Sequence, residues 1–232
     1  MQSSFTVLSA YVLGQPELIG DTKKGQHQTL SCFLKQPANT NGGLFIGHGG
    51  IAGDFHADQR PIGSEGSPVH GGPKKAFYFF PIEHYADWYD YTGECFLHGE
   101  FNHSQGLGAP ANPYAPITPD RAHFGENLRT LGITEQKVRV GDVWQWENAT
   151  LRVTGPRRPC GKLGMVRGPE APGWMRNTGH CGWYMELLDG PGAVSVSGQL
   201  ELVEVGSGPT IADAFRAKMQ REPEIPPALM VQ

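Results

Sequence analysis

Short apolar runs, broken every few positions by glycine or proline, set the pattern of this chain. Residues 5–12 and 28–35 carry β-branched and aromatic members and predict strands. The apolar burst at 76–80 is too short for a helix and predicts a buried strand. Farther on, 138–140, 143–147 and 151–154 predict successive strands, with Trp144 and Trp146 alternating against polar neighbours and Asn148-Ala149 as a turn. The runs 183–188 and 194–205 extend the β pattern. Helical spacing is confined to two places. Pro81 suits the first position of a helix, Ile82, Tyr85 and Trp88/Tyr89 recur at its period, and Gly93 marks its end. Near the C-terminus, Thr210 and Asp213 have the spacing of a helix cap, with Ile211, Phe215 and Met219 on one face.

Two stretches lack periodicity. Residues 37–73, thick with Gly, Pro, His and Asp, predict an irregular and largely exposed segment; 96–120 read as an insertion, a candidate lid. Two helices and about seven strands with short connections predict a mainly β fold of barrel type. Residues 1–206 are expected to form the barrel domain, and 207–232 a short C-terminal helix and tail.

Composition narrows the class. Glycine (32) and proline (19) exceed a fifth of the 232 residues, while charged residues reach only 18% and aromatics 10%. Disordered chains show the opposite balance, so a turn-rich β protein is expected. A formal net charge of −4 offers no general attraction for nucleic acid or acidic lipid, so any anion site is local. No apolar run approaches the roughly 20 residues of a membrane helix, and residues 1–14 lack the marks of a signal peptide. A cytoplasmic protein without nucleic-acid or membrane partners is expected. In that setting Cys32, Cys95, Cys160 and Cys181, widely spaced, read as reduced thiols rather than as a disulfide framework.

Cys160 stands out. In Pro156-Arg157-Arg158-Pro159-Cys160-Gly161-Lys162 one thiol is bracketed by three cations. Positive charge favours the thiolate, the form that ligates metals or attacks carbon, and the same cations suit an anionic group beside the sulfur. The commonest fate of a free cysteine is that of a small buried hydrophobe. Cys32 and Cys95 fit that description and Cys181 fits either, but three buried cations around Cys160 would be costly.

Gly53-Asp54-Phe55-His56-Ala57-Asp58 and His70-Gly71-Gly72-Pro73-Lys74-Lys75 set acids, histidines and lysines in glycine-rich loops whose amides can face a ligand. Ion pairs in a solvated loop give the same composition. Phe124-Gly125-Glu126-Asn127-Leu128 taken alone is a turn. Gly47-His48-Gly49-Gly50 is not followed by the helix that a pyrophosphate loop requires. His48, His56, His70, His98 and His103 show none of the tight pairs of structural zinc sites, although ligands can converge from distant loops.

These pieces, in the order Lys35-Gln36-Pro37, 53–58, 70–76, Tyr85-Ala86-Asp87-Trp88, 124–128, Val140-Gly141-Asp142, 156–163 and 179–184, resemble the MOSC domain family (the molybdenum cofactor sulfurase C-terminal domain), most closely its YiiM-like branch. The resemblance spans roughly residues 5–205 and implies a MOSC-type β-barrel with a few short helices and a molybdenum–molybdopterin cofactor. It maps the family's cysteine onto Cys160 as the metal ligand, a soft thiolate suited to such a metal. Lys74, Arg157, Arg158 and Lys162 are then expected partners of the cofactor phosphate, and Asn127 and His70 partners of the pterin or an oxo group. His70, Asp58 and His56 are expected proton donors beside Cys160 at the catalytic centre.

The implied activity is two-electron reduction of a small N-hydroxylated substrate of the hydroxylaminopurine type. No flavin, haem or iron–sulfur motif is visible, so electrons are expected from an external electron-donor protein. Two other readings remain. A carrier that passes the molybdenum cofactor or sulfur to other enzymes needs Cys160 and the cations but no proton donors. A thiol hydrolase or transferase uses Cys160 as nucleophile, though no Cys–His–acid set is legible. The insertion at 96–120 is longer than the resemblance implies, and one C-terminal helix stands where the branch often carries three.

Overall fold

The computed structural model describes residues 3–15, 17–19, 29–31, 33, 35–38, 41, 43–55, 71–92, 122–196 and 198–221. In chain order the strands are β1 (Ser4–Val12), β2 (Glu17–Ile19), β3 (Thr29–Ser31), β4 (Gln36–Pro37), β5 (Leu44–Gly47), β6 (Gly50–Ile51), β7 (Phe77–Pro81), β8 (Leu128–Leu131), β9 (Val143–Trp146), β10 (Ala149–Pro156), β11 (Trp183–Asp189), β12 (Gly192–Val194) and β13 (Gln199–Glu204). The helices are α1 (Glu83–Thr92), α2 (Gly161–Arg167), α3 (Ala171–Thr178) and α4 (Ile211–Arg221), and a 3-10 turn spans Pro73–Lys75.

Seven strands close into a barrel in the order β13-β9-β10-β11-β7-β8-β1, with β1 returning to β13. Closure leaves no free edge within the ring. The closing seam pairs Ser4 with Glu201 and Thr6 with Gln199. A register shift between Val7 and Ser9 bends β1 away from the seam so that its far end pairs with β4. All neighbours are antiparallel except β7 and β8. A parallel pair needs a crossover, and α1 lies within it.

Aromatic side chains fill the barrel. Phe5 meets Trp144 at 4.8 Å and Phe79 at 6.2 Å, and Phe79 stacks on Trp183 at 6.1 Å. Each such side chain taken from water contributes roughly 1.5–3 kcal/mol. The opposite face of β7 is buried as well: Phe80 stacks on Phe124 at 4.5 Å, and Phe124 and Trp88 both pack on Trp174 of α3. This explains why all of β7 is apolar rather than alternating.

A buried polar network braces this second layer. Glu126 Oε1 accepts from Arg129 Nη2 at 2.6 Å and from the Tyr85 hydroxyl, while Oε2 accepts from the Phe124 amide at 2.9 Å. The Arg129 guanidinium lies over the rings of Tyr11 and Tyr85, 4.7 and 4.3 Å from their centroids.

Several sequence expectations need correction. Within 37–73, Leu44, Ile46 and Ile51 are buried on β5 and β6, which join β12 in a separate three-stranded sheet. Gly47 pairs with Gly50, so Gly47-His48-Gly49-Gly50 is the hairpin turn, and His48 Nδ1 contacts the Leu187 carbonyl at 3.0 Å. Pro81 is the last residue of β7, paired with Thr130, and the helix starts at Glu83. The turn before β10 is Glu147-Asn148, because Trp146 pairs with Ala149 and Glu147 adopts φ 54°. Residues 138–140 make only a bridge from Arg139 to Thr210, since the Asp142 carboxylate draws the chain into a turn through the Arg139 amide.

Helices α2 and α3 were not legible, because Gly161, Gly164, Pro172 and Gly173 lower their propensity. Burial of Leu163, Trp174 and Met175 overrides it. The expected cap of α4 forms, with the Asp213 amide donating to Thr210 Oγ1 at 3.1 Å. Ile211 and Phe215 of α4 join the hydrophobic core. The predicted insertion at 96–120 and the tail after Arg221 lie outside the described residues.

Candidate functional site

The cysteine segment emerges where β10 ends. β10 pairs with β11, Gly155 opposite Tyr184 and Pro156 opposite Trp183, with a register shift between Val153 and Gly155. A bulge of this kind bends a strand and re-aims the residues beyond it. Cys160 has extended backbone and leads directly into α2. Cys160 is half-buried against the edge of the core, and the Leu163 amide donates to its carbonyl at 3.0 Å.

Arg157 is buried beside it. Its guanidinium lies over two aromatic rings, 5.2 Å from the Phe33 centroid and 4.6 Å from that of Tyr78. Nη2 reaches Cys160 Sγ at 3.9 Å. Burial alone weakens a guanidinium cation, but Tyr184, Tyr78 and Cys160 around it more than reverse this, and its pKa rises above the ordinary value. Arg157 is therefore a permanent cation held rigidly by two rings. Burial raises the hydroxyl pKa of Tyr184, partly offset by Arg157, and that of Tyr78 more strongly. Both phenols stay neutral at physiological pH, and the Tyr78 hydroxyl donates to the Cys181 carbonyl at 2.9 Å. Arg157 Nε is buried with no hydrogen-bond partner among the described residues.

The other cations reach the same end of the barrel by different routes. The 3-10 turn carries exposed Lys74, whose carbonyl accepts from Thr154 Oγ1 at 2.5 Å, tying it to the strand that leads to Cys160. Arg158 is exposed and Lys162 half-buried in the first turn of α2. Asn127 is buried and engaged at both ends of its amide. Oδ1 accepts from the Tyr78 amide at 3.2 Å, and Nδ2 donates to Asp54 Oδ2 at 2.7 Å. Asp54 in turn receives Lys35 Nζ at 2.5 Å and the Leu13 amide at 2.9 Å. This cluster joins three of the sequence pieces, at Lys35, Asp54 and Asn127, into one support beneath Tyr78. His56, Asp58 and His70 lie outside the described residues.

Sequence reasoning missed the aromatic clamp of Phe33 and Tyr78. Its signal was the uninterrupted apolar character of β7, which places Tyr78 on the face opposite the barrel interior. Cys181 is resolved as the inert thiol: it is buried, Sγ donates to the Gly182 carbonyl at 3.2 Å, and burial together with Glu135 raises its pKa well above the ordinary value.

Comparison with known proteins bears on family and fold. Residues 66–201 match the MOSC domain family. The chain is 34% identical over 178 residues to protein YiiM of Escherichia coli, an alignment that takes in 75% of this chain and 65% of that protein's length. It is 30% identical over 173 residues, 73% of the chain, to a protein of Gibberella moniliformis named reductase, of which those residues make up 25%. The crystal structure of YiiM from Geobacillus stearothermophilus superposes with a TM-score of 0.61 at 24% identity, over 93% of this chain and 84% of that one, and shares the fold. No helix among the described residues is long and apolar enough to cross a membrane.

Proposed function

This chain is a member of the MOSC domain family, and from that premise we propose that it binds a molybdenum–pterin cofactor at Cys160 and reduces N-hydroxylated compounds. The observation that carries the reading is the pairing of a half-buried thiol with a ring-packed, permanently charged Arg157 whose Nε has no hydrogen-bond partner among the described residues. An orphaned buried donor beside a soft ligand fits a group that is anionic at one end and metal-bearing at the other.

Cys160 is the protein ligand to the metal. Arg157, held against the rings of Phe33 and Tyr78, keeps positive charge beside the sulfur and offers Nε to the bound group. Lys74, Arg158 and Lys162 supply further positive charge for its phosphate. Asn127 and Asp54 hold β7 against β8 so that Tyr78 keeps the guanidinium in place. When bound, the cofactor supplies a Lewis-acidic metal and a store for two electrons. The net conversion, R–NHOH with two electrons and two protons to R–NH2 and water, needs proton donors, which we assign to His56, Asp58 and His70. Electrons come from a separate donor protein. The relative named reductase supports this direction of chemistry.

The test is to incubate cofactor-loaded protein with a chemical reductant and hydroxylaminopurine. Aminopurine formation well above a Cys160→Ser control is expected. Formation no greater than the control would refute the assignment, and cofactor retention without turnover would mark a carrier instead.

A further inference from the structure

Three side chains converge from separate elements: His84 from the start of α1, Glu135 from the loop after β8, and His180 from between α3 and β11. One ligand-capable atom of each lies within 4.8 Å of the others. His84 Nε2 is 2.7 Å from Glu135 Oε2, with only 3% and 1% of the two side chains exposed. The imidazoles of His84 and His180 stack, 3.9 Å between centroids and 22° between planes.

The outer contacts of these groups are wired in one sense. His180 Nε2 is 2.9 Å from Asp87 Oδ2. That contact assigns the ring proton to Nε2 and leaves the lone pair on Nδ1. Nδ1 is buried and has no hydrogen-bond partner among the described residues. An orphaned buried acceptor costs roughly 1–3 kcal/mol, which a ligand would relieve. Histidines that bind metals characteristically give their other ring proton to a carboxylate. Glu135 is held in the same manner: Oε1 accepts from the Cys181 amide at 3.0 Å and the Gly182 amide at 2.6 Å, which fixes the carboxylate with Oε2 toward the histidines.

We propose that His84, Glu135 and His180 form a binding site for a divalent transition ion, zinc above all. Two imidazoles and a carboxylate match the donor preference of that ion. A tetrahedral centre with bonds of about 2.0–2.1 Å sets its ligand atoms ~3.3 Å apart. The His84–Glu135 contact opens to that spacing, and the His180 ring turns out of the stack to aim Nδ1 inward. The His180 side chain is 19% exposed and Asp87 55%, so the ion reaches the site from solvent on that side. Bound there, it ties α1 to residues 180–182 immediately before Trp183 and Tyr184. It shares no donor with Cys160 and stands independently of the cofactor.

The experiment titrates the metal-stripped 232-residue chain with Co2+, read by ligand-field absorption, and with Zn2+ against a chromogenic chelator. One ion is expected per chain, retained in Cys160→Ser. His180→Ala and Glu135→Gln are each expected to weaken binding at least roughly tenfold, and Asp87→Asn by a comparable or smaller factor. His180 and Asp87 are partly exposed, so their variants keep the fold, checked by circular dichroism, even if Glu135→Gln does not. Parental affinity in His180→Ala, or no stoichiometric binding by the parent, would overturn the site.

Discussion

Glu126→Gln probes the network that holds the 124–129 segment. The glutamate side chain is fully buried against Arg129, and its two oxygens accept three hydrogen bonds, from Arg129, Tyr85 and the Phe124 amide. Glutamine keeps the shape but removes the charge and turns one acceptor into a donor facing other donors. Charge-assisted bonds are worth roughly 1.5–3 kcal/mol each, and breaking one side of a buried pair typically costs about 3–5 kcal/mol. For a chain of this size that lowers the melting temperature by roughly 6–20 °C, at about 2–4 °C per kcal/mol.

The assay is urea unfolding followed by fluorescence of the five tryptophans. Adding Arg129→Met to Glu126→Gln is expected to recover part of the loss, because an apolar pair avoids the buried charge. Acid supplies a second reading. Burial pushes the Glu126 carboxyl up, but Arg129 and the bonds it accepts more than reverse this, so its folded pKa lies below the ordinary value. A depressed carboxyl contributes stability that is complete above its unfolded value, near 4.3, and is lost as pH falls through the lower folded value. The gap between parent and Glu126→Gln therefore narrows in acid. A loss under about 1 kcal/mol at neutral pH, or a gap that widens in acid, would refute the reasoning.

The exposed Arg152–Glu186 pair, 2.6 Å apart, offers the contrast: Arg152→Ala is expected to change unfolding stability by less than about 1 kcal/mol. Gly182→Ala places a Cβ 2.2 Å from the Phe79 carbonyl at φ 63°, and is expected to cost about 2–5 kcal/mol or to prevent soluble expression. Thr210→Ala removes the cap of α4 and is expected to cost ~1 kcal/mol in the same denaturation assay.

The strands that carry the site were legible because their chemistry is local. The uniform apolar run of β7 and the alternating tryptophans of β9 need no partner to be recognised. The C-terminal helix was legible for the same reason, through the Thr210–Asp213 spacing. Helices α2 and α3 were not, since tertiary burial of Leu163 in α2 and of Trp174 and Met175 in α3 forms them against the preference of their glycines and proline. The segment 156–162 announced a thiol among cations, but charge clustering does not say which cation is clamped. That depends on Phe33 and Tyr78, 124 and 79 positions earlier in the chain than Arg157, bringing their rings to its guanidinium. The His84–Glu135–His180 cluster is likewise a product of three-dimensional convergence, with no motif spacing to reveal it.

The central claim is that Cys160 and Arg157 hold a molybdenum–pterin group. Its most direct test is molybdenum content together with pterin fluorescence of the full chain, of Cys160→Ser and of Arg157→Met, each produced with and without cofactor synthesis. Stoichiometric molybdenum and pterin in the parent from the competent host, metal lost in Cys160→Ser and both depleted in Arg157→Met, is the predicted result. A parent that carries neither from that host, or a Cys160→Ser variant that retains molybdenum at the parental level, would contradict it.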